Sequence, residues 1–311
     1  MVDHTVLLAK LSQLSLPDRA LNWIISFLIH RTQVVKCDNV ISSSQSINAS
    51  IVQSSGLGPM LYVVMAKDPK AVSPINRLFK YADDTTVLVP SYSDVGLEDE
   101  FKNVKHYKQW AKDNKMVLNI NKTKEIVFRR PNPRLSLHPS PLPHIEQVKV
   151  AKLLGLVLSE RLHFDDHVFA VLKVCSQRMY LLKLLRAQGL PVTQLNTVFQ
   201  ALILNKIRYA IPAWSGFLTI HLVSQINGLL KRCFKYGYCL KIKTVEEVIE
   251  SANYKLFRSL QNPQHCLHSL LPPTKPLSHD LRPKGHNNQF PNYSTELHKR
   301  SFIPHSLFQY Y

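Results

Sequence analysis

Cysteine is scarce in this sequence, and its few copies have no paired spacing. Five occur among 311 residues: Cys37, Cys175, Cys233, Cys239 and Cys266. Scattered thiols do not make a disulfide framework, so we expect a reducing compartment. His265 and His268 lie beside Cys266, but no second ligand pair stands at a usual distance, which argues against a zinc site.

Long apolar segments are missing as well. The apolar stretch at residues 21–29 is too short to span a bilayer, and Asp18 and Arg19 precede it. No secretory signal peptide is evident. We therefore expect an intracellular protein, in the cytoplasm or the nucleus, that is not secreted and has no membrane partner.

Acidic residues are few and unevenly placed. The chain has 39 Lys and Arg against 21 Asp and Glu, a net charge of +18, and a pI near 9.7. Residues 167–245 contain no Asp or Glu, which predicts contacts with the phosphates of a nucleic acid. The basic residues of that stretch are Lys173, Arg178, Lys183, Arg186, Lys206, Arg208, Lys231, Arg232, Lys235, Lys241 and Lys243. A second basic run, at residues 102–115, fits a solvated helix face equally well.

The hydrophobic content supports a folded body. At 311 residues, 45% of them hydrophobic, the chain can form two domains with sizeable cores. Helical spacing of apolar residues predicts helices at residues 5–14, 17–28, 60–65, 94–116, 167–189, 195–209 and 222–236. Alternation predicts strands at residues 33–37, 46–52, 118–120 and 125–129, and a hairpin at 148–158. From about residue 251, frequent prolines predict little helix or strand.

The segment at residues 78–89 carries the clearest functional signal. Apolar and polar residues alternate on both sides of Asp83 and Asp84, which predicts a hairpin whose turn holds two adjacent carboxylates. A divalent cation removes the repulsion between them, because Mg²⁺ takes one or two carboxylates and keeps its other positions for water and phosphates. The alternative is a solvated turn, since Asp also suits turns through local hydrogen bonds.

Three further blocks accompany this hairpin. They lie at residues 53–62, at 110–124 with Trp110 and Asn114 before an Asn/Lys-rich stretch, and at 152–156. In this order and spacing, the four blocks resemble the reverse transcriptase of LINE-type (non-LTR) retrotransposons, over about residues 3–240. The first block departs from the family pattern at Val52 and Ser54, where proline and glycine are usual.

The resemblance implies an α+β fold. A partial right-hand polymerase palm, an antiparallel sheet with helices, would occupy residues 1–160. A basic, helical thumb-like region would follow over 161–245, and a loosely ordered tail rich in Pro, His and Asn over 246–311. The implied activity is that of an RNA-directed DNA polymerase, a nucleotidyltransferase, using an RNA template, a DNA primer, deoxynucleoside triphosphates and Mg²⁺ or Mn²⁺.

The resemblance also implies roles for single residues. Asp83 and Asp84 would hold the metal and act in catalysis. Lys122 or Lys124 would face the triphosphate or donate a proton to pyrophosphate, and the choice between them stays open. Leu154 and Gly155 would belong to the primer grip. Template or nucleotide binding would involve Gln53, Ser55, Gly58, Tyr81 and Lys122.

The first metal-binding aspartate of the family would fall one position ahead of Met1, which implies a chain truncated within the palm. Asp3 matches a later acid that is not a metal ligand, and the register shift needed for it to substitute would flip strand faces. Two-metal phosphoryl transfer needs shared carboxylates. We therefore expect weak metal binding and little or no polymerisation. The alternatives are a non-catalytic remnant that binds RNA or RNA–DNA hybrid, and an expressed remnant without selected activity.

Overall fold

The computed structural model describes residues 2–51, 55–102, 110–129, 139–274, 286, 288–293 and 295–310. The chain divides into two compact units. The first consists of Met1–Glu125 and Pro139–Gln147, and the second of Ile126–His138 and Val148–Tyr311. Helices and small two-stranded sheets make up both units, in agreement with the α+β class.

The helices of the first unit are α1 (His4–Leu11), α2 (Asp18–Leu28), α3 (Gly58–Met65) and α4 (Leu97–Lys102), and residues 110–113 are also helical. Apolar residues three and four apart on α1 and α3 meet in a small core made of Leu7, Leu11, Leu28, Leu61 and Met65. The predicted helices at 5–14, 17–28 and 60–65 are confirmed, with α1 ending three residues earlier. Residues 103–109 of the predicted helix at 94–116 lie outside the described residues.

The strands of the first unit are short. They are β1 (Arg31–Gln33), β2 (Lys36–Cys37), β3 (Val40–Ile41), β4 (Gln45–Ile47), β5 (Arg77–Tyr81), β6 (Asp84–Leu88), β7 (Lys124–Glu125) and β8 (Glu146–Gln147). Strands β1 and β4 pair around the smaller β2–β3 pair, so residues 31–47 contain four strand pieces instead of the two strands expected at 33–37 and 46–52. The pairing β5–β6 is antiparallel, whereas β7–β8 is parallel.

One predicted strand of this unit is wrong. Residues 118–120 were expected to be extended, but Ile120–Lys122 forms a 3₁₀ turn. The side chain of Asn119 accepts a hydrogen bond from the Lys122 amide at 3.2 Å. Such a local bond competes with strand pairing, which explains the turn. The second strand of this region, expected at 125–129, is limited to Lys124–Glu125.

The second unit begins with a hairpin and continues as a helical bundle. The hairpin is β9 (Val150–Leu153) and β10 (Leu156–Ser159). The helices are α5 (Asp165–Ala187), α6 (Val192–Phe199), α7 (Asn205–Arg208), α8 (Ile211–Trp214), α9 (Ile220–Lys235), α10 (Val245–Leu260), α11 (Glu296–Arg300) and α12 (Phe302–Gln309). A π-helical turn, Gln200–Leu204, joins α6 to α7. The hairpin and the three amphipathic helices predicted here are confirmed.

The expectation of a loosely ordered tail is wrong for the described residues. Helix α10 covers sixteen residues, and Phe257, Leu260 and Leu307 are buried. Aromatic rings link the last segment to α10, with the centroids of Phe257 and Tyr310 5.4 Å apart. Pro304 lies in the first turn of α12, where no intrahelical N–H bond is needed, so its presence did not exclude a helix.

In the part of the chain that the structure describes, no helix has the length and apolar character needed to cross a membrane. The longest helix of the described residues, α5, has 23 residues but carries two Asp in its first turn and Lys and Arg further along.

Candidate functional site

The hairpin predicted around Asp83 and Asp84 is confirmed, but its turn lies one residue earlier than expected and holds only the first of the two aspartates. Strands β5 and β6 pair antiparallel with Tyr81 opposite Asp84, so that Ala82 and Asp83 form the turn. Ala82 adopts a left-handed conformation with φ of +50°. Asp83 occupies the turn itself and Asp84 begins β6, and both residues are exposed. The hairpin therefore presents two carboxylates to solvent from its tip.

Lys80 anchors this hairpin to the C-terminal end of α3. Its Nζ donates hydrogen bonds to the carbonyl oxygens of Ala66 at 2.8 Å and Pro69 at 2.6 Å. Carbonyl groups at a helix C-terminus lack intrahelical partners and carry partial negative charge, so an ammonium group is favoured there. Burial lowers the pKa of Lys80, while the charge of Asp68 opposes this shift.

Asp68 forms a second connection at the same end of α3. It accepts a hydrogen bond from Lys10, whose Nζ also donates to the Met65 carbonyl oxygen at 2.7 Å. The indole Nε1 of Trp110 lies 3.4 Å from Asp68 Oδ2, and Lys10 lies 5.4 Å from the indole centroid. Burial acts to raise the pKa of Asp68, but the hydrogen bond and charge of Lys10 hold it below its ordinary value.

Sequence reasoning missed an electrostatic influence of Asp83 on Tyr62 of α3. Burial raises the pKa of its phenol, and the negative charge of Asp83 raises it further. The same helix begins at Gly58, which is buried and whose N–H donates to Ser55 Oγ at 3.0 Å. Gln53 lies outside the described residues. Thus Ser55 and Gly58 shape the start of α3.

Tyr81 is the residue directly before the turn, and its side chain is 68% exposed. Its position opposite Asp84 brings the phenol-bearing residue into the same strand pair as the carboxylates. The sequence had predicted a turn at Asp83 and Asp84 themselves, so this pairing of Tyr81 with Asp84 comes from the structure.

Asp3 is engaged within the first unit. Its Oδ1 accepts the Val6 N–H at 3.1 Å and so caps α1, and its Oδ2 lies 2.9 Å from Lys115 Nζ. These two interactions, with that of Lys115 the larger, hold the pKa of Asp3 below its ordinary value. The carboxylate therefore stabilises a helix start and an ion pair.

The two candidate lysines differ in their surroundings. Lys124 on β7 forms an ion pair with Glu146 on the parallel partner strand β8. Lys122 is exposed at the end of the 3₁₀ turn, and no carboxylate among the described residues forms an ion pair with it. The charge of Lys124 is thus neutralised locally, whereas that of Lys122 remains available to an anionic ligand.

The Leu154–Gly155 turn lies in the second unit, between β9 and β10. Both residues have positive φ angles, +45° for Leu154 and +85° for Gly155. The hydroxyl of Tyr209 donates to the Leu154 carbonyl oxygen at 2.6 Å. A Cβ atom added to Gly155 would lie 3.3 Å from Cε1 of the same tyrosine, so the ring packs directly on the glycine.

The basic residues of the acid-free stretch lie mainly on the surface of the second unit. Eight of the eleven are exposed, and three are half-buried: Arg178, Lys206 and Lys243. Arg178 donates to the Leu202 carbonyl oxygen at 2.6 Å, in the π-helical turn. The wider spacing of a π-helical turn leaves carbonyl groups open to such partners. The eight exposed cations face solvent, and the sequence has no acidic residue between positions 167 and 245.

Comparison with known proteins shows relatives of one kind. The chain is 32% identical over 178 residues to the RNA-directed DNA polymerase from mobile element jockey of Drosophila melanogaster, covering 54% of this chain and 19% of the relative. It is 29% identical over 175 residues to the probable RNA-directed DNA polymerase from transposon X-element of the same fly, with the same coverages. A third match, to the probable RNA-directed DNA polymerase from transposon BS, has 27% identity over 319 residues, 91% of this chain and 34% of the relative.

All three relatives belong to one class of protein, because each is named as an RNA-directed DNA polymerase or a probable one. They come from mobile elements of the non-LTR type, so the resemblance to LINE-type reverse transcriptases is confirmed. The chain spans 19% to 34% of the length of these relatives. No family model and no solved structure matches the chain.

Proposed function

We propose that this chain is the part of a non-LTR reverse transcriptase that presents the paired aspartates and grips nucleic acid. The observation that carries the proposal is the Asp83–Asp84 hairpin, held by Lys80 against the end of α3 and exposed at its tip. Its setting within sequence similar to a probable RNA-directed DNA polymerase, matched over 91% of this chain, supports a role in nucleotidyl transfer rather than a solvated turn.

Asp83 and Asp84 are the residues that would hold Mg²⁺ or Mn²⁺. Carboxylate oxygens are the ligands that these ions prefer, and Mg²⁺ leaves positions for water and phosphate oxygens. A bound ion would neutralise the charge that develops on the triphosphate during transfer. Within the described ranges, no group of three or more His, Cys, Asp or Glu side chains is placed to hold a metal. Asp83 in the turn and Asp84 at the start of β6 would therefore supply two carboxylates of a larger set.

The other site residues fit the same proposal. We assign the triphosphate contact to Lys122, because Lys124 is paired with Glu146. Tyr81 and Ser55 would border the nucleotide or template, with Gly58 beginning the helix behind them. Gln53 keeps the template-contact role implied by the resemblance. The substrates would be an RNA template, a DNA primer and deoxynucleoside triphosphates.

The second unit would act as the thumb-like grip. Its exposed cations, without acids from 167 to 245, match the phosphate backbone of an RNA–DNA hybrid in charge. The Leu154–Gly155 turn would belong to the primer grip. The first unit would form the partial palm. With these assignments, the helices and small sheets of the two units would correspond to the palm and thumb of a right-hand polymerase.

A non-catalytic role in binding RNA or RNA–DNA hybrid is the second candidate. The finding that favours it is the lack of a third metal-ligating group beside Asp83 and Asp84 among the described residues. On this ground we expect the chain alone to bind a primer–template and to extend it little or not at all.

The test compares two pairs of aspartates in the same chain, each pair made of two consecutive residues. Asp83→Asn with Asp84→Asn removes the proposed ligands, and Asp165→Asn with Asp166→Asn removes the same charge from the first turn of α5. Terbium luminescence should fall in the first variant and persist in the second. Primer–template binding, measured by fluorescence anisotropy, should persist in both and weaken steeply with salt.

Extension assays on an RNA template with Mg²⁺ or Mn²⁺ decide between the two candidates. Extension by the wild-type chain that disappears only in the Asp83/Asp84 variant would show catalysis by this chain. Binding without extension would support the second candidate, a chain that binds nucleic acid without catalysis. A wild-type chain that binds no primer–template, or binds it independently of salt, would overturn the proposed function.

A further inference from the structure

Tyr209 connects the helical bundle to the Leu154–Gly155 turn through its side chain. The phenol hydroxyl donates to the Leu154 carbonyl oxygen at 2.6 Å, and the ring covers Gly155. The ring is 48% exposed, so it lies at the surface beside the turn rather than inside the core. Burial alone therefore does not account for its position.

The backbone of Tyr209 is fixed from the other side. Trp214, which is fully buried, donates its indole N–H to the Tyr209 carbonyl oxygen at 3.1 Å. Ala210 then adopts a left-handed conformation with φ of +49°, which turns the chain from α7 into α8. These contacts hold Tyr209 in one place relative to the core, so its hydroxyl offers the hairpin a fixed anchor.

The turn needs such an anchor. Leu154 has φ of +45°, a conformation that is unfavourable for residues with a Cβ and persists when surrounding contacts hold it. The hairpin is also linked to the bundle by the hydrogen bond from the Val157 N–H to His167 Nδ1, at 3.4 Å. That bond holds the middle of β10, whereas Tyr209 holds the tip.

Two basic residues lie beside the tyrosine that contacts this tip. The Lys206 ammonium lies 5.9 Å from the centroid of the Tyr209 ring, and Arg208 is exposed one residue before the tyrosine. The sequence has no acidic residue between positions 167 and 245. A polyanionic strand is therefore the ligand class that this corner of the second unit favours.

We propose that Tyr209 is a positioning residue: it holds the Leu154–Gly155 turn in the orientation in which the turn contacts the primer end of a bound nucleic acid. The inference rests on the proposed function, which assigns that turn to the primer grip. It adds a residue outside the motif blocks and a specific interaction, the hydroxyl-to-carbonyl hydrogen bond. Tyr209 acts through the turn and need not touch the reacting atoms.

The test uses Tyr209→Phe, which removes the hydroxyl and keeps the ring. The control is Tyr180→Phe, a tyrosine on α5 of the same unit that is 60% exposed. Hydrogen exchange of the amides at residues 154–156 should accelerate about fivefold in Tyr209→Phe, the effect of removing one neutral hydrogen bond. It should not change in Tyr180→Phe.

The functional readout needs no catalysis. A primer–template carrying 2-aminopurine at the primer 3′ end reports the placement of that end, and anisotropy reports overall affinity. In Tyr209→Phe the 2-aminopurine signal at saturation should move towards that of the free primer–template, while overall affinity changes less than about twofold because the phosphate contacts remain. Gly155→Ala, which strains the turn itself at φ of +85° and also crowds the Tyr209 ring, should give the same shift.

Each result has a defined meaning. Faster exchange at the turn with an unchanged 2-aminopurine signal in Tyr209→Phe would reduce Tyr209 to a purely structural role and overturn the proposal. Unchanged exchange in Tyr209→Phe would also overturn it. If the wild-type chain binds no primer–template, the proposed function itself fails, and the inference falls with it. Unlike a failure of the inference alone, that outcome is visible before any variant is made.

Discussion

The Lys80 ammonium donates to the Ala66 carbonyl oxygen at 2.8 Å, which ties the strand before the aspartate turn to the end of α3. This one side chain also reaches the Pro69 carbonyl, at 2.6 Å. The anchor lies four residues before Asp84, so the position of the carboxylates depends on a residue that carries no catalytic chemistry itself.

Removing this anchor should loosen the aspartate turn. Lys80→Met keeps the aliphatic stem and removes the ammonium, and we expect a destabilisation of about 1–2 kcal/mol because the hydrogen bonds of a charged donor disappear. Urea unfolding measures this change. Terbium luminescence at Asp83 and Asp84 should weaken in parallel. Lys112→Met, at an exposed lysine of the same unit, is the control; equal effects in both variants would refute the anchoring role.

Asp3 should make the stability of the first unit depend on pH in the acid range. Its pKa in the folded chain lies below the ordinary value of 3.8, so folding favours the ionised form. This contribution is fully present well above pH 3.8 and disappears as the pH falls through the lowered pKa. Asp3→Asn keeps a good capping residue but removes the charge that pairs with Lys115. Its stability deficit relative to wild type, measured by urea unfolding from pH 7 to 3, should shrink towards zero at low pH.

Gly216 of the second unit lies so close to the Arg300 backbone that replacing it should destabilise the folded chain. A Cβ on Gly216 would lie 2.0 Å from the Arg300 carbonyl oxygen, so Gly216→Ala must displace α11 or the turn at Ser215–Phe217. We expect a loss of about 1–3 kcal/mol in the free energy of unfolding, as for other overpacked sites. Gly228→Ala is the matched control, because nothing lies within 4 Å of its added Cβ. That change, inside α9, should stabilise the chain by about 0.5–1 kcal/mol. A neutral Gly216→Ala would contradict the close approach.

The cations of α9 should determine part of the salt dependence of nucleic-acid binding. Replacing Lys231, Arg232 and Lys235 by Gln removes three exposed cations near the end of this helix. The slope of log K against log salt should fall by about 0.7–0.9 for each phosphate that these side chains neutralise in the wild-type complex. Anisotropy titrations at several salt concentrations measure the slope. Gln at Lys36, Lys67 and Lys112 removes the same charge from the first unit; an equal effect there would argue against a specific grip by α9.

Local patterns predicted the parts of the fold that depend on neighbouring residues. Alternation around Asp83 and Asp84 predicted the β5–β6 hairpin, and helical spacing predicted α5 and α9. The error at residues 118–120 came from a local hydrogen bond by Asn119 that periodicity does not include. The error in the tail came from counting prolines without their positions, since Pro304 lies in a first helical turn.

The sequence by itself determined the hairpin with its paired carboxylates, the one-sign surface of residues 167–245 and the resemblance to non-LTR reverse transcriptases. These features depend on the types of residues and on their spacing over short segments, and both can be read directly from the sequence. Only the tertiary structure decided that Lys10 and Trp110 both donate hydrogen bonds to Asp68. It also decided that the charge of Asp83 raises the pKa of the Tyr62 phenol, and that the Tyr209 hydroxyl bonds to the Leu154–Gly155 turn. The members of each pair lie far apart in sequence, and such side chains are brought together by packing, which no local pattern specifies.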